Sequence, residues 1–409
     1  MKIGIVSNLY PPNERGGAEL VAQRVADELY ARGHDVFVLT TEPFTGFSSF
    51  VPRLRERHLE RVYRFCPINL YSPYHKGSVP FLIKIIWHLL DLWSPHARSV
   101  MKNLLETERP DVMITHNLKG IGVGIVRAIQ QKEIPHVHTL HDLQLSIPSG
   151  LLICGQEKQF IHTSFLRLWY EWVVKKVMGK PNLVLSPSAF LATYYQDRGF
   201  FRESTVRVLP NPMPKNMAPL RSRRMPGPAR FVYAGQLEPH KGILHLLRSI
   251  QMLDVPFELH IAGDGSLADE IAEFAKRDVR IRYHGFIPLN HLARWLAVAD
   301  AVVVPSLCYE NSPTIIYESF AIGVPVIASR IGGIPELISE GENGWLVEPG
   351  NENAWAQKLT HVATHQDECW EKTEAIRETA KQFALEHYVT VLEKELERVV
   401  DDYKSNRKI

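Results

Sequence analysis

Two glutamates, Glu310 and Glu318, frame the segment of this chain best suited to chemistry. The run Val304-Pro305-Ser306-Leu307-Cys308-Tyr309-Glu310-Asn311-Ser312-Pro313-Thr314 begins as an apolar strand and turns polar. It enters a helical pattern near Pro313, a favoured first-turn residue. A helix start offers unpaired amides and the positive end of the dipole to an anion. Glu310 precedes that start and Glu318 lies about one turn into the helix, so the two carboxylates address different parts of an elongated ligand with a phosphate between them. Glu318 sits among Ile315, Ile316, Tyr317 and Phe320, an apolar setting in which a carboxylate needs partners. The alternative is a loop glutamate and a surface glutamate with no ligand between them.

Three further segments carry candidate groups. Gly235-Gln236-Leu237-Glu238-Pro239-His240-Lys241-Gly242 follows an apolar strand and opens a helix. Its glycines permit close backbone approach, and Lys241 can reach a phosphate. Gly16-Gly17-Ala18-Glu19 repeats the theme after the first strand without making a dinucleotide fingerprint, which disfavours a nicotinamide enzyme. His136-Val137-His138-Thr139-Leu140-His141-Asp142 invites a metal reading, since His136 and His138 share one face of a strand. A strand inside a two-sided sheet buries such residues instead, and the order His-x-His-x-Asp-His is absent. The expectation is no metal, with His141 and Asp142, just past the strand end, as the ligand-facing pair.

The elements that must position these groups follow from hydrophobic period. Ile3 to Val6 and Val36 to Leu39 read as buried strands around a helix carrying Ala18, Val21, Ala22, Val25 and Leu29. Strands resume at Val112 to Thr115 and His136 to Leu140. A second series reads Phe231 to Ala234, Leu259 to Ala262, Ile281 to His284, Ala301 to Val304 and Val324 to Ala328. Helical patterns such as Ile243 to Ile250 and Leu292 to Leu296 separate them. Strand-helix alternation implies parallel sheets with ligands beyond the carboxyl ends of the strands. The expected class is therefore α/β, with two doubly wound Rossmann-like domains.

The boundaries are a first domain at 1–207, a linker at 208–228 holding six prolines between Pro210 and Pro228, and a second domain at 229–386. A helix at 387–409 follows, with Tyr388, Val391, Leu392, Leu396 and Val399 on one face.

Composition narrows the class. With 45% hydrophobic and 22% charged residues, the 409-residue chain has the balance of a globular protein. A net charge of +2 gives no bulk attraction to nucleic acid. The basic run Arg221-Ser222-Arg223-Arg224 reads as solvated linker. Four scattered cysteines fit a reducing cytosol, and the apolar start is too short for a signal-peptide core. No run reaches the ~18 to 20 apolar residues of a membrane span. The nearest, Phe81 to Trp93, has two readings: a core helix, which is the expected one, or a surface that docks on a membrane.

These segments together resemble the retaining glycosyltransferases of family 4, with the GT-B fold, over nearly the whole chain. The resemblance rests on Gly16 to Glu19, Thr139 to Asp142, Pro210-Asn211-Pro212, Gly235 to Gly242, Gly263-Asp264-Gly265, His284-Gly285-Phe286, Glu310 to Glu318, Gly323 to Ala328, Gly332 to Glu336 and Glu342-Asn343-Gly344.

It implies two domains facing across a cleft, with the last helix returning to the first. It implies a UDP- or GDP-linked sugar donor, no resident cofactor, and no metal. Gly16 and Gly17 would close over the diphosphate, Lys241 would contact it, and Glu318 would hold the ribose. Glu310, with Asn311, Ser312, Pro313, Thr314 and Ile315, would hold sugar and phosphate. His141 would bond the sugar near the reacting carbon. Gly285 and Phe286 would meet the base, and Gly235, Gln236 and Gly263 would complete the donor site. At Gln236 the family often carries Arg, and Arg15 and Arg330 are the candidates to replace it.

The expected activity is sugar transfer to a glycan, lipid-linked or small-molecule acceptor in polysaccharide biosynthesis. It would be cytoplasmic, or peripheral on the inner membrane face. Alternatives are a sugar-nucleotide epimerase or hydrolase, or a catalytically silent binding partner.

Overall fold

The first apolar run becomes β1 (Lys2–Val6), with β2 (Asp35–Thr41) on one side and β5 (Val112–Thr115) on the other. Outward from β2 lie β4 (Arg61–Phe65) and β3 (Arg53–Glu56); outward from β5 lie β6 (His136–Thr139), β7 (Leu183–Ser186) and β8 (Thr205–Val208). Among the described residues of this sheet, only the β3–β4 pair is antiparallel. In the second sheet β9 (Ala229–Ala234) is flanked by β10 (Phe257–Ala262) and then β11 (Ile281–Tyr283). On its other side come β12 (Ala301–Val304), β13 (Val326–Ser329) and β14 (Gly344–Val347), and the pairing is parallel throughout.

Strand order reverses at β1/β5 and at β9/β12, and in open parallel sheets such switch points open crevices beyond the carboxyl ends. This computed structural model describes residues 1–409 except 14–15, 57–60, 73, 75–78, 160–163, 216, 218–220, 222–225 and 407–409.

The sheets lie in separate units: Met1–Leu151 with Lys158–Pro210 and Leu385–Ile409, and Leu152–Glu157 with Asn211–Ala384. Two boundaries differ from the sequence reading. The proline-rich stretch is no free linker from Asn211 onward. The Asn211 amide donates to the Ser312 carbonyl (3.3 Å), and the Met213 N–H donates to the Phe383 carbonyl (2.8 Å). The short segment Leu152–Glu157 joins the second unit as an added strand bridge, Ile153 opposite Cys308.

The last helix runs Leu385–Asn406 and starts before the expected 387. Tyr388, Val389, Leu392 and Leu396 enter the first unit's core with Val21, Val25 and Leu29, so Val389 takes the place assigned to Val391. Arg32 anchors it, donating to Glu393 (2.7 Å) and to the Thr390 hydroxyl (2.9 Å).

Arg221, read as solvated, is buried. Its guanidinium donates to the carbonyls of Cys369 (2.9 Å), Ala299 (2.8 Å) and Gly323 (3.1 Å) and lies 3.7 Å from the Trp370 ring centre. Spacing could not reveal this, because the acceptors are backbone atoms remote in sequence. Arg221→Ala strands these carbonyls, and the expected loss is about 2 to 3 kcal/mol of unfolding free energy in a urea titration. An unchanged midpoint would show that the guanidinium contributes nothing net.

Candidate functional site

The second unit gathers its chemistry on the loops after β9 and β12, the two strands at its switch point. Gly242, at φ +73, turns the first loop into the helix Ile243–Gln251. A Cβ at Gly242 would stand 1.9 Å from the Pro305 carbonyl oxygen, so only glycine lets the loops approach this closely. The His240 carbonyl then accepts from Leu307 N–H (2.9 Å) and Cys308 N–H (3.1 Å). Below β12 the helix begins at Thr314, with Pro313 as its cap residue.

This stitching brings Lys241 onto Glu310. The ammonium donates to Glu310 Oε1 at 2.5 Å, and the Ser306 hydroxyl donates to the same oxygen at 2.8 Å. Burial pushes the Glu310 carboxyl up, but the Lys241 charge, its hydrogen bond and that of Ser306 outweigh it and hold Glu310 below its ordinary range. Burial likewise pulls Lys241 down, and Glu310 restores it above its ordinary value. Both are therefore ionised at neutral pH. Beside them, burial and the Glu310 charge push the Cys308 thiol up to about 12. The sequence reading gave Lys241 and Glu310 separate tasks; the structure makes them one ion pair.

From above, Gly333 N–H donates to the Glu310 carbonyl at 2.7 Å. Behind the loop, Tyr309 N–H donates to the Leu152 carbonyl (2.9 Å), Cys154 N–H to the Leu307 carbonyl (2.8 Å), and the Tyr309 hydroxyl to Glu157 (2.9 Å). The segment Leu152–Glu157 thus splints the Glu310 loop, a role no local signal announced.

Glu318 is buried on the helix, as its apolar neighbours required, and Asn311 is buried too. The Ser312 hydroxyl meets that of Tyr317 at 2.5 Å. Gly235 and Gln236 are exposed at the strand end, and the Gln236 carbonyl accepts from Tyr233 (2.7 Å). Gly263 N–H donates to the Gly285 carbonyl (2.8 Å), linking the loops after β10 and β11, where Phe286 is 77% exposed. Arg330 lies against Glu340 and Glu348, at 3.9 and 3.6 Å, while Arg15 falls outside the described residues.

In the first unit, Gly16 caps the helix Gly17–Ala31, its N–H donating to Glu19 at 2.9 Å. His136 and His138 are buried as expected, bonding the Thr115 hydroxyl at 2.7 and 2.8 Å. Among the described residues, no three His, Cys, Asp or Glu side chains converge as metal ligands do. His141 meets a partner that the sequence reading missed: His116 Nδ1 lies 2.8 Å from His141 Nε2. His116 follows β5 as His141 closely follows β6, so its place at a strand's carboxyl end was the available signal.

The two histidines line a cavity of about 30 Å³ with Asp91, Lys119, Asp142 and Tyr170. Burial lowers His141 to about 4 and raises Asp142 to about 6 and Asp91 to about 7. His141 is therefore neutral at pH 7, suited to hydrogen bonding rather than to carrying charge.

Known proteins share this layout. Residues 228–365 match the model of the Glycosyl transferases group 1, and residues 15–215 match Glycosyltransferase Family 4. A glycosyltransferase named for teichuronic acid biosynthesis, TuaC of Bacillus subtilis (strain 168), is 25% identical, covering 96% of this chain and 99% of its own. Sucrose-phosphate synthase from Thermosynechococcus elongatus superposes with a TM-score of 0.75 at 19% identity, over 98% of this chain and 99% of its own. Anabaena HepE in complex with UDP-glucose gives 0.70 at 19% identity, over 97% of this chain and 100% of its own.

Proposed function

From a chain that belongs to the family 4, group 1 glycosyltransferases and has their GT-B fold, we propose a retaining, metal-independent transfer of a hexosyl group from a nucleoside-diphosphate sugar. The observation that carries this reading is the partly buried Lys241–Glu310 pair set shortly before a helix start. Departure of a nucleoside diphosphate builds negative charge on its phosphates. The Lys241 ammonium and the first-turn amides of the helix Thr314–Ile322 are preorganised to receive that charge, the work a metal ion does elsewhere. Lysine has three N–H donors, so Lys241 can keep Glu310 while contacting a phosphate. Glu310 then faces the sugar, Glu318 the ribose, and Gly285 and Phe286 the base.

In the first unit, Gly16 and Gly17 open a helix start suited to a phosphate, and neutral His141, oriented by His116, is suited to bond a sugar. TuaC's name supports an acceptor that is a growing polysaccharide or its precursor. The cysteines Cys66, Cys154, Cys308 and Cys369 are all free thiols, which supports a reducing, cytoplasmic setting.

The test is a panel of UDP- and GDP-linked sugars. One donor is expected to raise the melting temperature as a ligand of the native state does. In the presence of acceptor it should yield a product with the donor's anomeric configuration by NMR, with activity surviving EDTA. An inverted product would refute retention. Activity abolished by EDTA and restored by Mg²⁺ would refute metal independence. Donor epimerised or hydrolysed equally well without acceptor would favour the alternative chemistry.

A further inference from the structure

The helices Phe81–Trp93 and Phe165–Met178 are neighbours in the first unit, and each turns an apolar stripe outward. On the first, the expected core helix, Trp87 and Leu92 are buried, but Ile86 (50%), Leu90 (42%) and Trp93 (56%) are exposed. On the second, Phe165 (77%), Trp169 (39%) and Trp172 (58%) are exposed. Both sets follow the spacing i, i+4, i+7, or close to it, so each forms one face. A surface helix of a globular protein keeps its outward face polar; here that face is apolar as well as the inward one, which buries Trp87, Leu92, Val173, Val174 and Val177.

The charges are sorted by face. The only acids on the two helices, Asp91 and Glu171, are buried. Asp91 accepts from Gly120 N–H (2.9 Å), and Glu171 pairs with Arg167 (2.6 Å). Lys84 and Lys176 are exposed, and Lys176 continues the stripe of Phe165, Trp169 and Trp172 at the next helical step. The apolar surface extends onto Ile68 and Leu70, in a loop fixed to the first helix by Asn69 donating to the Trp87 carbonyl (3.2 Å).

We propose that this face docks on an anionic phospholipid bilayer. Helices of this length extend about 20 Å, short of the about 30 Å hydrocarbon core, and suit lying in the interface. Among the described residues, no helix is long and apolar enough to cross a membrane. Exposed tryptophans match the headgroup level, where an indole keeps its ring in apolar surroundings and its N–H among polar ones. Lysines outside and acids inside complement an anionic surface and disfavour a basic one.

Vesicle sedimentation tests this with no turnover required, so its result stands apart from the fate of the transferase reading. The full-length protein is expected to pellet with phosphatidylcholine vesicles containing roughly 30% phosphatidylglycerol and to bind pure phosphatidylcholine far less. Trp169→Ser with Trp172→Ser should weaken binding at least about tenfold. Lys84→Glu with Lys176→Glu should do the same, and raised salt should act in the same direction. These positions are exposed, so circular dichroism should be unchanged; if the tryptophan variant fails to fold, the charge reversal carries the test. The proposal is overturned if wild-type protein ignores anionic vesicles, or if a folded variant binds like wild type. It is also overturned if ultracentrifugation shows a dimer that these substitutions dissolve, for then a second copy covers the face.

Discussion

Lys241→Ala should lower turnover by about 10² to 10³-fold while leaving the fold in place. The lysine is the cation held on Glu310, and in the proposed reaction it meets charge that develops only as the nucleoside diphosphate leaves. The loss should therefore fall on kcat and on kcat/KM together, with donor KM changing less. The ion pair adds a second signature. Without Lys241, the strongest of the groups that hold the Glu310 carboxyl low is gone, the Ser306 hydrogen bond is left to oppose burial, and burial, the largest influence, pushes the carboxyl up. A carboxyl whose folded pKa is raised contributes stability below its unfolded pKa and loses it as pH rises toward the folded value. The stability deficit of Lys241→Ala relative to wild type should thus be wider at pH 7 than at pH 4, read by thermal melts at both. Wild-type turnover in the variant would remove Lys241 from the mechanism, and a pH-independent deficit would show that the pair is not ionised as described.

Gly332→Ala is expected to be nearly as damaging with no charge altered. Gly332 has φ +61, and an added Cβ would fall 2.1 Å from the Glu310 carbonyl oxygen and 2.9 Å from its nitrogen. Both are backbone atoms, so no rotamer change relieves the clash and the Glu310 loop must move. Overpacking of this kind costs about 1 to 3 kcal/mol, and the left-handed backbone adds about 1 to 2 kcal/mol. A displacement of about 1 Å at a reacting group lowers rate by about 10²-fold. Gly33→Ala is the control: φ is +87, nothing lies within 4 Å of the added carbon, and the position belongs to a different unit from Glu310. It should pay the backbone strain alone and keep full activity. Equal activity in Gly332→Ala and Gly33→Ala would show that the contact does not position Glu310.

Five of the six strands of the second sheet were legible because buried parallel strands are apolar runs, as at Phe231 to Ala234, Leu259 to Ala262 and Ala301 to Val304; the sixth, β14, a four-residue run begun by Gly344, was not read. β3 and β4 escaped because they carry Arg53, Arg55, Arg61 and Arg64 at the sheet's margin, where alternation with charge erases the run. The Glu310–Glu318 segment announced itself because strand, loop, helix start and two carboxylates are contiguous. What the sequence could not display were pairings between distant residues: Lys241 on Glu310, His116 on His141, Arg221 on three remote carbonyls. The outward stripe of Phe81–Trp93 was hidden for a different reason. Its periodicity shows that one face differs from the other but not which face meets water.

The membership of Leu385–Asn406 in the first unit has a bearing on how the protein is made. Tyr388, Leu392 and Leu396 fill space against Val21, Val25 and Leu29, so the earliest-synthesised core lacks its covering helix until the entire second unit has left the ribosome. At 5 to 20 residues per second that interval is roughly 10 to 40 s. During it, the nascent first unit exposes an apolar groove while a complete neighbour folds downstream. Vectorial synthesis thus releases the second unit before the helix that closes the first, and this interval is the stage at which a chaperone would find its binding surface.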